Sequence, residues 1–253
     1  MKRFIIPVLL LGSAGVSAAQ NLQLHYDFGK ALYRSEDRSL EYRPQLTTTV
    51  EMFRPDRWGS TFFFVDMNYG SRPGDRGVLG AYWEIYRNLR FWDIPVSVHL
   101  EYNGGLDIQG PGNGTGAYDD AWLAGADWSV ASSDYSRTLS LAVMYKAIPG
   151  NLKNPHNFQI TAAWNVWFWQ KCFLFCGFAD FWMENRPWQI TGRSGNDGTD
   201  FIFLAEPQLW YNFNTIKGLE QFNLSAGSEV EISSNFVSAG FFVIPTLALK
   251  WTF

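Results

Sequence analysis

A two-residue alternation of apolar and polar side chains runs almost the length of this chain, and it restricts the fold more than any other feature. From Leu22 onward the sequence divides into twelve runs of about ten to fifteen residues, each bounded by clusters of Gly, Pro, Asn, Asp or Ser. They cover 22–33, 41–53, 59–69, 78–87, 96–103, 118–130, 138–148, 158–169, 172–184, 201–213, 222–233 and 241–253. A period of two is the signature of a strand with different surroundings on its two faces. In the first run Leu22, Leu24, Tyr26 and Phe28 oppose Gln23, His25, Asp27 and Gly29. In the fifth, Val96, Val98, Leu100 and Tyr102 alternate with Ser97, His99, Glu101 and Asn103. The runs predict an all-β chain of twelve antiparallel strands.

The charges decide which face meets which solvent. His25, Asp27, Glu51, Asp66, Glu84, His99, Glu101, Asp180, Glu184, Glu206, Glu229 and Glu231 fall on the polar face of their runs, and the opposing set is almost free of charge. A soluble barrel turns its apolar face inward. Here the charges instead line a lumen and the apolar faces meet lipid, as in an up-and-down transmembrane β-barrel. Twelve strands enclose more space than the side-chain-filled eight-strand case and less than a sixteen-stranded porin, so a narrow, partly filled pore is expected. With 12 Trp, 11 Tyr and 21 Phe at a mean hydropathy of −0.14, the chain also carries the aromatic surplus that forms interfacial girdles.

The gaps between runs alternate too. The odd gaps are mostly long and polar, as in 71–77, 104–116, 185–200 and 234–240. The even gaps are mostly tight, as in 54–57 and at Gln170–Lys171. One end of the barrel therefore carries turns and the other loops, with both termini on the turn side when the strand number is even.

Residues 1–19 read as a secretory signal peptide: basic Lys2 and Arg3, an apolar stretch from Phe4 to Leu11, and small residues at Ser17, Ala18 and Ala19. Residues 20–253 then form a single outer-membrane barrel domain. Without Lys2 and Arg3, 18 basic side chains face 24 acidic ones, a formal charge of −6. The chain lacks the basic face of a nucleic-acid-binding domain. Cys172 and Cys176 lie too far apart on an extended strand for a disulfide and are expected as packed free thiols. No metal or other cofactor is expected. The turn-rich segments 110–114 and 196–200 read as loops, because the first lacks the Lys-Ser/Thr of a phosphate loop and the second lacks a full set of calcium ligands.

The last run, Leu247-Ala248-Leu249-Lys250-Trp251-Thr252-Phe253, is an alternating strand ending in Phe. It resembles the C-terminal signature by which the barrel-assembly machinery recognises bacterial outer-membrane proteins. A second resemblance lies in Thr47-Thr48-Thr49-Val50-Glu51-Met52-Phe53-Arg54-Pro55-Asp56-Arg57-Trp58-Gly59 and the aromatic strand that follows to Asp66 and Tyr69. This segment looks like the second hairpin of Tsx-like nucleoside-specific channel-forming proteins. Gly80-Ala81-Tyr82-Trp83-Glu84 and Phe175-Cys176-Gly177-Phe178-Ala179-Asp180 are similar to later strands of that family, in the same order. The resemblance implies a bacterial outer-membrane channel, in contact with lipid and lipopolysaccharide, that passes small neutral solutes such as nucleosides and deoxynucleosides.

Parity and chemistry select the lumen residues for such a solute. Phe62, Phe64, Tyr82, Trp167, Trp182 and Trp210 offer ring faces to a base. Asp66, Glu84, His99, Glu101, Asp180, Glu184, Glu206 and Gln208 offer partners to ribose hydroxyls, and an acidic lumen disfavours phosphates. Two rival classes are a soluble secreted β-sandwich binding module and a barrel lipase or lipid A deacylase. The enzyme would need a His and a Ser paired on one strand face. Two positions after His25, His99 and His156 stand Asp27, Glu101 and Phe158, so that dyad is absent from single strands and no catalytic residue is assigned.

Overall fold

The computed structural model describes residues 19–33, 43–70, 77–107, 116–117, 120–152, 154–184, 200–236 and 240–253. The signal peptide read over 1–19 lies outside them except for Ala19, which opens the first strand; the loop at 110–114 lies outside them, as does the 196–200 turn except for Asp200. The described residues form one closed antiparallel barrel of twelve strands: β1 Ala19–Asp27, β2 Leu46–Asp56, β3 Gly59–Tyr69, β4 Val78–Leu89, β5 Val96–Asp107, β6 Ala121–Ala131, β7 Arg137–Ala147, β8 His156–Phe168, β9 Phe173–Glu184, β10 in two parts, Asp200–Ala205 and Gln208–Asn212, β11 Leu224–Ser234 and β12 Phe241–Thr252. A two-residue piece, Gly116–Ala117, adds to the end of β5. Each strand pairs with its chain neighbours, and β1 pairs with β12 to close the cylinder, from Asn21 opposite Thr252 to Asp27 opposite Thr246.

Closure satisfies every strand edge, which a backbone surrounded by hydrocarbon requires. Both parts of β10 pair with β9 and with β11. The gap falls at Glu206–Pro207 because proline has no N–H to give to a ladder. Backbone groups there are still paired: Val230 N–H donates to Pro207 O at 3.0 Å, and Glu206 N–H donates to Phe178 O at 3.0 Å. Gly177, with φ +146°, lets the Glu206 carbonyl pass where a Cβ would stand.

The inside-out pattern is present in space. Gln23, His99 and Glu101 are 2, 4 and 8% exposed, whereas Leu24, Leu100 and Val143 on the opposite faces are 44, 45 and 55% exposed. So broad a band of exposed Leu, Val and aromatic side chains is untenable in water. An eleven-residue strand is about 36 Å long and, tilted by about 45°, crosses about 25 Å, the height of the apolar band of an outer-membrane barrel.

The first run does not continue as a strand to Tyr33. It ends at Asp27, whose carboxylate accepts the Lys30 N–H at 2.9 Å and starts a 3-10 turn, Gly29–Tyr33. That turn folds over the barrel mouth, with Tyr33 edge-on to Phe242 and its hydroxyl donating to Val243 O at 3.2 Å. Gly29 is required there, since a Cβ would overlap Pro245 and Ile244.

Tight hairpins close the other end. Trp169, Gln170 and Lys171 all have positive φ, from 48 to 65°. At the 132–136 turn the hydroxyls of Ser132 and Ser136 donate to Asp134 and hold its carboxyl down to about 2. Gly59 opens β3 at φ +138°, and a Cβ there would overlap the Asn88 carbonyl oxygen. Gly59→Ala is expected to destabilise the barrel by about 1–3 kcal/mol, seen as a lower urea midpoint after refolding into vesicles.

Candidate functional site: the lumen wall

Alternation turns twelve half-strands inward, and the interior they share is unevenly filled. Between β6 and β7 an apolar cluster of Ala121, Leu123, Ala142, Met144 and Ile148 packs against the wall, and Phe242 and Ile244 do the same on β12. These clusters fill part of the barrel interior. Two facing walls keep half-buried side chains in contact with it. On β2, β3 and β4 these are Glu51, Phe62, Phe64, Asp66, Tyr82, Glu84 and Tyr86. On β8 to β11 they are Asn165, Trp167, Phe178, Glu206, Gln208 and Glu229.

The first wall is a row of rings beside carboxylates. Phe62 stacks on Tyr86, with centroids 5.1 Å apart and planes at 27°. Phe64 and Tyr82 are tilted at 6.0 Å, and Tyr86 reaches His99 at 4.9 Å. Register explains the row: Phe62, Phe64 and Asp66 stand opposite Tyr86, Glu84 and Tyr82. The Tyr82 hydroxyl donates to Glu84 Oε1 at 2.6 Å and the Thr49 hydroxyl to Asp66 Oδ1 at 2.5 Å. Across the interior Glu206 and Glu229 lie within electrostatic range of Asp66, and Glu84 within range of Asp180.

Other residues expected in the lumen face inward and are held by their neighbours. His99 bonds Asn88 Oδ1 and Glu101 Oε2, each at 2.8 Å. Asp180 accepts the Thr161 hydroxyl at 2.5 Å. Trp182 donates to Glu184 Oε2 at 2.9 Å, and Lys146 Nζ lies 4.7 Å above its ring while donating to Gln159 Oε1 at 2.9 Å. Trp210 is 1% exposed, lies under Lys250 Nζ at 4.0 Å and donates to Gln208 Oε1 at 2.9 Å. A base therefore cannot stack on Trp182 or Trp210 in this arrangement. The half-buried inward rings are Phe62, Phe64, Tyr82, Tyr86 and Trp167. Tyr86 has the parity of Glu84, so the sequence already held the signal for it.

The loop-end mouth holds a buried pair of ion pairs on one guanidinium. Arg43 Nε lies 2.7 Å from Asp27 Oδ2 and its Nη2 2.6 Å from Glu231 Oε2. Lys30 Nζ donates to Arg43 O at 2.9 Å, and Gln45 Nε2 to Asp27 O at 2.7 Å, which ties the segment to β1. Arg43 falls at the start of the 41–53 run, but the strand begins only at Leu46, so the period does not reveal that its side chain bridges β1 and β11. Cys172 and Cys176 are free thiols. Among the described residues no three His, Cys, Asp or Glu side chains are placed to hold a metal ion.

A closed barrel with an apolar exterior and a carboxylate-bearing interior defines a barrel of the bacterial outer-membrane class. The chain belongs to the family described as Domain of unknown function (DUF5020), whose model matches residues 19–253. No curated protein sequence matches it. Among solved structures it is similar to the NanC porin, at a TM-score of 0.53 and 9% identity over 93% of this chain and 99% of that one. It is also similar to LpxR from Salmonella typhimurium, at 0.44 and 9% over 94% and 100%, and to Pseudomonas aeruginosa OccK5, at 0.41 and 8% over 91% and 62%. At these identities the NanC likeness establishes the fold, and the weaker two add nothing to it.

Proposed function

We propose that the barrel is a passive channel of the bacterial outer membrane that admits small solutes, nucleosides and deoxynucleosides foremost. The observation that carries this reading is the row Phe62, Phe64, Tyr82 and Tyr86 beside Asp66 and Glu84, on a wall that keeps contact with the bore. Flat bases stack on such rings with about 1–3 kcal/mol per contact and without fixed sequence preference. Neighbouring carboxylates accept hydrogen bonds from ribose hydroxyls. The same carboxylates repel phosphate, so nucleotides are disfavoured. The likeness of the 47–69 hairpin to Tsx-like channels points the same way. On this reading the apolar band contacts lipid and lipopolysaccharide, and Phe253, 56% exposed and pinned by its N–H to Gln20 O at 3.0 Å, is the residue read by the assembly machinery.

Single-channel recording in planar bilayers tests the proposal. Adenosine or thymidine added at millimolar concentration is expected to block the current reversibly, and the matching monophosphate is expected to do so much less. Phe64→Ala should weaken the nucleoside block by about fivefold to tenfold, the loss of one stacking contact. Wild-type channels that conduct but respond equally to nucleoside, nucleotide and glucose would remove the nucleoside reading. A barrel with no conductance at all would remove the channel.

A further inference from the structure

Halfway through the bore, three carboxylates on two facing parts of the wall come within electrostatic reach of one another: Glu84 on β4, Glu101 on β5 and Asp180 on β9. Among the described residues Lys146 is the cation within reach of Glu84 and Asp180. The bonds already described occupy one oxygen of each carboxylate. Two acceptors in the same tier have no donor. Glu101 Oε1 and Asn103 Oδ1 are buried without a hydrogen-bond partner, in side chains of residues only 8% and 5% exposed. Asn103 stands directly opposite Glu84 in the β4–β5 register, on the lumen face. Buried acceptors left unpaired cost free energy, so their presence marks a place where donors are missing.

We propose that Glu84, Glu101, Asn103 and Asp180 form a subsite for the cationic head of a small organic solute, an ammonium or guanidinium group. The inference rests on the channel reading and adds a charge preference to it. An ammonium presents three donors and a guanidinium five, with no acceptor, which complements a tier rich in acceptors. The oxygens are too dispersed to enclose a metal ion. A water molecule would satisfy one or two of the orphaned oxygens but would leave the carboxylates outnumbering Lys146. The rings of Tyr82 and Phe64 flank Glu84 and favour a cation over a neutral group of equal shape. Elsewhere in the lumen Arg43 shows the same chemistry, one guanidinium held by two carboxylates.

The test compares methylguanidinium with methylurea, two probes of nearly equal shape that differ in charge, on single channels of the full-length barrel in planar bilayers. Methylguanidinium is expected to reduce the current with saturation, methylurea is not, and the reversal potential in a KCl gradient should lie toward that of potassium. Glu84→Gln with Glu101→Gln should raise the half-blocking concentration about tenfold, the worth of a charge-assisted hydrogen bond. Asn103→Asp, which adds a carboxylate and removes none, should lower it. Equal responses to the two probes, or a half-blocking concentration that Asn103→Asp leaves unchanged, would overturn the subsite while leaving the channel standing. Silence of the wild type in the bilayer would overturn both.

Discussion

Arg43→Met barrels refolded into vesicles are expected to unfold at a clearly lower urea concentration than the parent. Arg43 is the shared partner of Asp27 and Glu231, which are 6% and 4% exposed and lie on strands that meet β12 from either side. Removing the guanidinium leaves two buried carboxylates facing each other with nothing between them. Breaking a buried ion pair by deleting one partner costs about 3–5 kcal/mol; the 17% exposure of the Arg43 side chain lowers the expected loss to about 2–4 kcal/mol. The cost arises from the stranded charges, so Asp27→Asn and Glu231→Gln added to Arg43→Met should recover most of it. Failure of that triple variant to recover would mean that Arg43 acts through packing of the 43–45 segment and not through its charge.

Comparable in size is the expected effect of placing a charge on the outer face. Val143 lies mid-strand on β7 and is 55% exposed. Val143→Arg puts a guanidinium near the middle of the apolar band, which costs about 2–4 kcal/mol at the bilayer midplane. Asn165 on β8 faces the bore, and Asn165→Arg should cost far less, because the arriving charge meets water and carboxylates. Urea titrations of both variants in the same vesicles provide the comparison. Equal losses, or a larger loss for Asn165→Arg, would reverse the assignment of the two faces. The contrast depends only on which solvent each parity meets, so it tests the membrane reading independently of any conductance.

Much of this architecture was legible in the sequence because a strand's two faces meet different solvents, and side chains alternate with a strict period of two. The β3 run, 59–69, coincides with the observed strand Gly59–Tyr69, and the inward placement of Glu84, Glu101 and Glu231 follows from parity alone. Periodicity fails where the backbone leaves the strand. Leu32 and Tyr33 suit a strand, so the period extends the first run through Tyr33, but the side chain of Asp27 captures the Lys30 N–H and bends the chain into a 3-10 turn. Arg43 lies in such a stretch, and nothing in the linear pattern connects it with Asp27 or Glu231.

The sequence by itself determined the strand count, the inside-out sense of the barrel, the acidic lumen and the aromatic candidates, since each depends on composition and local period. Only the tertiary structure decided which inward residues remain open. Lys146 and Lys250 cover Trp182 and Trp210, the cluster around Met144 fills one side, and Phe62, Phe64, Tyr82 and Tyr86 are left to face the bore. Parity sets the direction of a side chain, whereas access depends on what reaches across from strands far away in the chain. That is a property of closure and stagger, which no single run contains.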